Sequence, residues 1–216
     1  MLLTITDIVK RKQTEEPEAQ TPPVLRLKSP LCKKISNPES SLHEEIGQIS
    51  HDECIHFWSF GSYSLHELMF YLLKQTGPAH VNLCTWSISQ DAIEKITRKH
   101  NNGEILSIRF LLDPRVKVCK AKPLQMITRN FRHAITRVHA KVVTIENNEW
   151  KISIVSSQNA TNNPKLERGV IIISDDIHDF DKQIIDNEFR KHEVRNDRAT
   201  SGIILHPEGD CHHPGS

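Results

Sequence analysis

The sequence predicts an α/β fold, a sheet layered with helices and carrying a β-hairpin in its later half. Two observations carry that prediction. Stretches with helical apolar periodicity alternate with short apolar runs rich in β-branched residues. Two such runs, at 138–145 and 151–155, are separated only by the polar spacer Glu146-Asn147-Asn148-Glu149, which is of hairpin length.

Taken in order, residues 1–50 read as a disordered tail. Pro17, Pro22, Pro23, Pro30 and Pro38 punctuate them, and acids and bases alternate without apolar periodicity. Such a segment buries too little apolar area to offset its conformational entropy. The alternative is that residues 1–9 dock as a short element. The folded domain is expected over 51–192. In its first helix Leu65, Leu68, Met69, Leu72 and Leu73 share one face, and Gly77-Pro78 stops it. A strand follows at 81–86. Ser89 caps a helix that reaches about His100, with Asp91 in its first turn. Residues 105–112 form a nearly continuous apolar run, the pattern of a buried strand. A helix is expected over 122–135, with Pro123 in its first turn. After the hairpin, a strand at 169–173 leads to a helix capped by Asp176, with Phe180, Ile184 and Phe189 on one side. Residues 193–216 read as a polar C-terminal tail.

Composition narrows the class. The chain has 216 residues, 28 Lys+Arg, 27 Asp+Glu and a formal charge of +1. At roughly 150 residues per domain, one domain with tails is expected. The apolar share is 37% and the mean hydropathy −0.46, so part of the chain is solvated. No stretch approaches the roughly 18 apolar residues of a membrane span. Collagen, coiled-coil and disulfide-miniprotein compositions are excluded. The five cysteines, Cys32, Cys54, Cys84, Cys119 and Cys211, form no CxxC pair, which fits free thiols. The N-terminus lacks the charge order of a secretory signal. Both features point to the cytoplasm.

The chemistry concentrates in residues 138–170. His139 and Lys141, two apart on an expected strand, project to one face. Ser157 and Asn159 repeat the spacing after the next strand, and Glu167 precedes the one after that. Histidine supplies a nucleophile or a general acid near neutral pH. Lysine, asparagine and serine supply donors for phosphate oxygens, and a carboxylate orients an imidazole. The set suits attack of histidine on a phosphoryl group. The bland reading makes His139 a partly buried histidine, Lys141 an edge charge and Glu167 a surface acid.

His139-Ala140-Lys141, four residues, then Glu146, resembles the H-x-K-x4-D motif of the phospholipase D superfamily, and Ser157-Gln158-Asn159 resembles its G-S-x-N segment. Glu167 occupies the place of the family's later glutamate. Two departures stand out: Glu146 replaces the aspartate and Ser156 replaces the glycine. The resemblance implies an α/β/α sandwich with a central mixed sheet flanked by helices. It implies phosphodiester chemistry with His139 as nucleophile, Lys141, Asn159 and Ser157 around the phosphate, Glu167 behind the imidazole, and no cofactor. His100, His133 and His192 each lack a lysine two residues on, so only one such motif is present. Single-motif members of the family dimerise so that each subunit supplies one histidine, and a homodimer is implied here.

Charge points to the substrate. Residues 114–145 contain no Asp or Glu but include Arg115, Lys117, Lys120, Lys122, Arg129, Arg132, Arg137 and Lys141. A run of this kind beside the motif suits a nucleic-acid backbone, with Arg129, Arg132 and Arg137 as the expected contacts. A solvated helix face is the competing reading. A nuclease acting on DNA or RNA is therefore expected, with a phospholipid phosphodiesterase or an inactive binding protein as alternatives. No membrane anchor of exposed apolar residues is expected. Trp58, Phe60, Phe70 and Tyr71 read as core rather than base-stacking surface. A zinc site at His51, Cys54 and His56, with Cys211, His212 and His213, fits no familiar spacing.

Overall fold

The computed structural model describes residues 31–35, 42–162 and 165–200. The outermost 1–30 and 201–216, which include residues 1–9, Cys211, His212 and His213, lie outside the described residues. One eight-stranded sheet organises the rest. In chain order the elements are β1 (Leu31–Ile35), α1 (Leu42–Ile46), β2 (Glu53–Ser59), α2 (Leu65–Thr76), β3 (Ala79–Thr85), α3 (Gln90–Asn101), β4 (Ile105–Leu112), α4 (Val116–Cys119), α5 (Ala121–Asn130), β5 (Arg132–Ile135), β6 (Lys141–Glu146), β7 (Lys151–Ser156), β8 (Glu167–Ile173) and α6 (Asp175–Thr200). The spatial order is β1-β2-β8-β7-β6-β3-β4-β5. Strands β3, β4 and β5 run parallel, as do β1 and β2, whereas β2, β8, β7, β6 and β3 pair antiparallel, so the sheet is mixed.

Local chemistry explains the boundaries. Ser64 and Glu67 form a reciprocal capping box at the start of α2. The Ser89 hydroxyl accepts the Ala92 N–H at the start of α3. The Asn147 side chain accepts the N–H groups of Glu149 and Trp150, closing the β6–β7 hairpin. Gly169 in β8 lies under the Phe57 ring, and a Cβ there would overlap that ring. Only glycine permits so close an approach.

Helices α2, α3 and α5 bury Leu65, Leu68, Leu72, Ile93, Ile96 and Ile127 against one sheet face. Helix α6 covers the other through Ile185 and Phe189, which pack on Cys84, Leu111 and Ala134. The result is the helix–sheet–helix layering expected from the sequence.

The structure departs from the sequence reading in several places. The 122–135 segment is a helix only to Asn130; Arg132–Ile135 is an edge strand beside β4. The buried pair of α6 is Ile185 and Phe189, while Ile184 is 38% exposed. Order begins before residue 51: α1 buries Ile46, and Ile49 joins the core. Helix α6 continues past residue 192. Strand β2, with buried Cys54, Ile55 and Phe57, had no clear signal because His56 and Trp58 break its apolar run.

Candidate active site

One edge of the sheet gathers the chemistry. Strands β2, β3, β4 and β7 end there, and β6 and β8 begin there. Lys141 opens β6 opposite Ser156 at the end of β7, and Glu167 opens β8 opposite Ser59 at the end of β2. Thr85 closes β3. This is the carboxyl end of the parallel strands, where loops leave the sheet and α/β proteins place ligands.

Four backbone segments supply the side chains. His139 is exposed and lies in the connection between β5 and β6, so the expectation that it sits on a strand is corrected. The Lys141 ammonium bridges the difference. It donates to the His139 carbonyl at 2.7 Å and lies 3.2 Å from Nδ1 and 3.4 Å from Nε2 of the imidazole. Lys141 is buried, and burial holds its ammonium below the usual lysine range while the Glu167 charge pulls it back up. Ser157 and Asn159 follow β7 rather than extending it. The Ser157 hydroxyl donates to the Glu167 carboxylate and accepts the Arg168 N–H at 3.0 Å. The Thr85 hydroxyl donates to Asn159 Oδ1 at 3.3 Å, which leaves the amide NH₂ as the end suited to an anion. Beneath the site Cys84 donates to the Ala140 carbonyl at 3.6 Å. Burial pushes its thiol up to about 12, so it is a structural rather than a reactive cysteine.

The two departures from the motif have separate explanations. Glu146 lies at the far end of β6, where it pairs with Lys182 of α6. Ser156 turns its hydroxyl into the following loop and accepts the Gln158 N–H at 3.0 Å. Buried Gln158 in turn donates to the Tyr63 carbonyl at 2.9 Å.

The three arginines expected to bind nucleic acid are not clustered. Arg137 lies two residues before His139. Arg132 begins β5 and stacks 5.4 Å over Phe189. Arg129 is exposed in the last turn of α5, before β5 begins. Of the four aromatics expected in the core, Phe70 is buried, but Trp58 and Phe60 are 41% and 45% exposed. His51 stacks on Trp150 at 4.2 Å while Cys54 faces His56 at 3.6 Å. Among the described residues no three His, Cys, Asp or Glu side chains converge as metal ligands.

Thr85 and Trp86 at this edge escaped the sequence reading, and Arg115 was read there only as one member of the basic run. The Trp86 ring lies 5.9 Å from that of His139, and the Arg115 guanidinium lies 5.0 Å over the same Trp86 ring. The available signal was positional, since both follow strands that run parallel in the sheet.

No family model matches the sequence, and neither does any curated protein. Among solved structures, the chain is similar to Nuc from Salmonella typhimurium, a phospholipase D family member. That match has TM-score 0.49 and 12% identity over 63% of this chain and 93% of the other. It is also similar to NucT from Helicobacter pylori, with TM-score 0.46 and 11% identity over 66% and 97%. A third is phosphatidylserine synthase from Haemophilus influenzae, with TM-score 0.45 and 13% identity over 64% and 39%. The likeness is one of fold: a mixed sheet with helices on both faces.

Proposed function

We propose that the chain is a phosphodiesterase of the phospholipase D type, and within that class a metal-independent nuclease of DNA or RNA. The observation that carries this reading is the imidazole of His139 held 3.2 Å from a buried ammonium, at the sheet edge where Glu167 and Ser157 also meet. In the proposed reaction His139 attacks phosphorus, a P–N bond forms and the P–O bond to the leaving oxygen breaks. A second histidine gives that oxygen its proton, then takes a proton from the water that cleaves the P–N bond. Lys141 and Asn159 hold the non-bridging oxygens, Ser157 assists them, and Glu167 favours the charged imidazolium. No cofactor is required.

Among the described residues this cluster holds one imidazole, that of His139, whereas the reaction needs both a nucleophile and an acid. We therefore place the active site in a homodimer, with the two His139 side chains facing each other. The partly exposed Trp58, Val155 and Ile184 supply apolar surface of the kind a second copy covers. Of the basic 114–145 segment, Arg115, Arg137 and Lys141 lie toward this edge and support a nucleic-acid substrate, whereas Arg129 and Arg132, expected as contacts, do not lie beside it. The exposed Trp58 and Phe60 also remove the argument that no apolar surface accompanies the charges, and they favour a phospholipid as the second reading. No described helix is long and apolar enough to cross a membrane.

The test is to incubate the full chain with DNA, RNA and phospholipid vesicles, each with and without EDTA. Cleavage of DNA or RNA should survive EDTA. His139→Ala should abolish it, and Lys141→Ala should lower it by about 10²–10³ in rate, the loss expected for one preorganised donor. Abolition by EDTA with rescue by magnesium contradicts the proposal. Turnover of vesicles alone selects the lipid reading. Nucleic-acid binding without turnover selects an inactive binding or assembly protein.

A further inference from the structure

The Arg115 guanidinium lies across the Trp86 indole at 5.0 Å, and that indole also borders the His139 ring at 5.9 Å. A surface arginine ordinarily samples many rotamers, and ordering it costs entropy. Here two contacts restrict its side chain and a third fixes its backbone. Buried Asp113 accepts the Arg115 backbone N–H at 3.0 Å and faces its Nε at 3.6 Å, and the indole supports the guanidinium plane. The ion pair engages Nε, so both Nη groups remain as donors toward solvent, and the side chain is 68% exposed. A planar cation held in this way presents a fork that matches a phosphate. Asp113 offsets part of its charge but also fixes its direction. Lys141 is the cation proposed for the reacting phosphorus, and the Trp86 ring touches both Arg115 and His139, so the Arg115 fork is assigned to a different phosphate.

We propose that Arg115, carried on Trp86, binds the phosphate adjacent to the one attacked by His139, so that the site reads a strand of successive phosphodiesters rather than an isolated one. This rests on the phosphodiesterase reading above. It deepens that reading by naming a polyanionic strand as substrate, and a phospholipid with a single phosphate would gain nothing from Arg115.

Two measurements test it. The first is binding of a labelled single-stranded oligonucleotide to His139→Ala protein, with and without Arg115→Ala. The added change should weaken binding about tenfold, the worth of one charged hydrogen-bond contact, and reduce the log–log salt slope by about one. Arg115→Lys should recover the slope but only part of the affinity. The second is turnover in the His139 background. Arg115→Ala should lower kcat/KM on the oligonucleotide by about tenfold and leave bis(p-nitrophenyl) phosphate, a diester without a neighbour, unchanged. Unchanged affinity and slope would overturn the proposal. Equal losses on both substrates would also overturn it, because Arg115 would then act at the reacting centre or on the fold. If the unmodified chain binds the strand but cleaves neither substrate, the proposed activity falls, and the Arg115 proposal stands or falls on the binding result alone.

Discussion

Single residues decide whether the edge of the sheet can form. Gly169 is the clearest case. Its missing side chain is the space that the Phe57 ring occupies, and Phe57 is fully buried between β8 and the α2 side of the core. Gly169→Ala should therefore destabilise the protein by roughly 1–3 kcal/mol, the usual cost of overpacking a filled core. Denaturant titration reads the loss. Phe57→Leu in the same chain should restore part of it, because a smaller side chain leaves room for the methyl group. Equal losses in the single and double variants would show that the ring is not the obstacle. Gly169 pairs with Ser156 and follows Glu167 by two residues, so the same variant should also disturb the site. The sequence shows a glycine in a β-branched run but not what lies above it, because the contact spans residues distant in the chain.

At the scale of elements, α2 carries a pH dependence. His66 is fully buried in its first turn, with Nδ1 2.7 Å from the Ser64 hydroxyl. Burial lowers its pKa from 6.5 to about 4, against the opposing pull of Glu67. Between those values the unfolded chain binds a proton that the folded chain refuses, so stability rises with pH across that window. The stabilisation of the folded state is full above about pH 6.5 and is lost as pH falls toward 4. A shift of this size corresponds to a few kcal/mol, on the order of 3. Melting temperatures measured from pH 7 to pH 4 should fall, and His66→Gln should flatten that fall even if it lowers stability at pH 7. A parallel pH profile in the variant would assign acid sensitivity to other groups. Helix α6 shows what element-level pattern misses. It docks through Arg109–Asp186 at 2.6 Å, Thr136–Glu188 at 3.1 Å and Lys182–Glu146 as well as through Ile185 and Phe189. Its inner face is therefore partly charged, and apolar spacing alone selected Ile184, which stays 38% exposed, in place of buried Ile185.

For the whole molecule, the proposed homodimer is the decisive matter. One composite site per dimer means that a dimer of one unmodified and one His139→Ala chain lacks either the nucleophile or the acid. Such mixed dimers, purified with two affinity tags, should be nearly inactive on DNA or RNA. Where the acid is missing, activity should partly return on a nitrophenyl phosphodiester, whose leaving group needs little protonation. Half-normal activity on nucleic acid would mean that each chain carries a complete site and that the shared mechanism is wrong.

The sequence by itself determined the layered α/β class, the ends of α2 and α3, and the hairpin that follows Lys141. These rest on local signals: helical and strand periodicity, a serine cap, an asparagine turn. It also marked His139, Lys141, Ser157, Asn159 and Glu167, because their spacing survives in one short stretch of chain. Only the tertiary structure decided that Thr85, Trp86 and Arg115 join them and that Arg129 and Arg132 do not lie beside His139. The reason is topological. Parallel β3 and β4 bring the ends of distant segments to one edge, and β5 begins away from that edge. Neighbourhood across a sheet is set by strand order, which local periodicity does not encode.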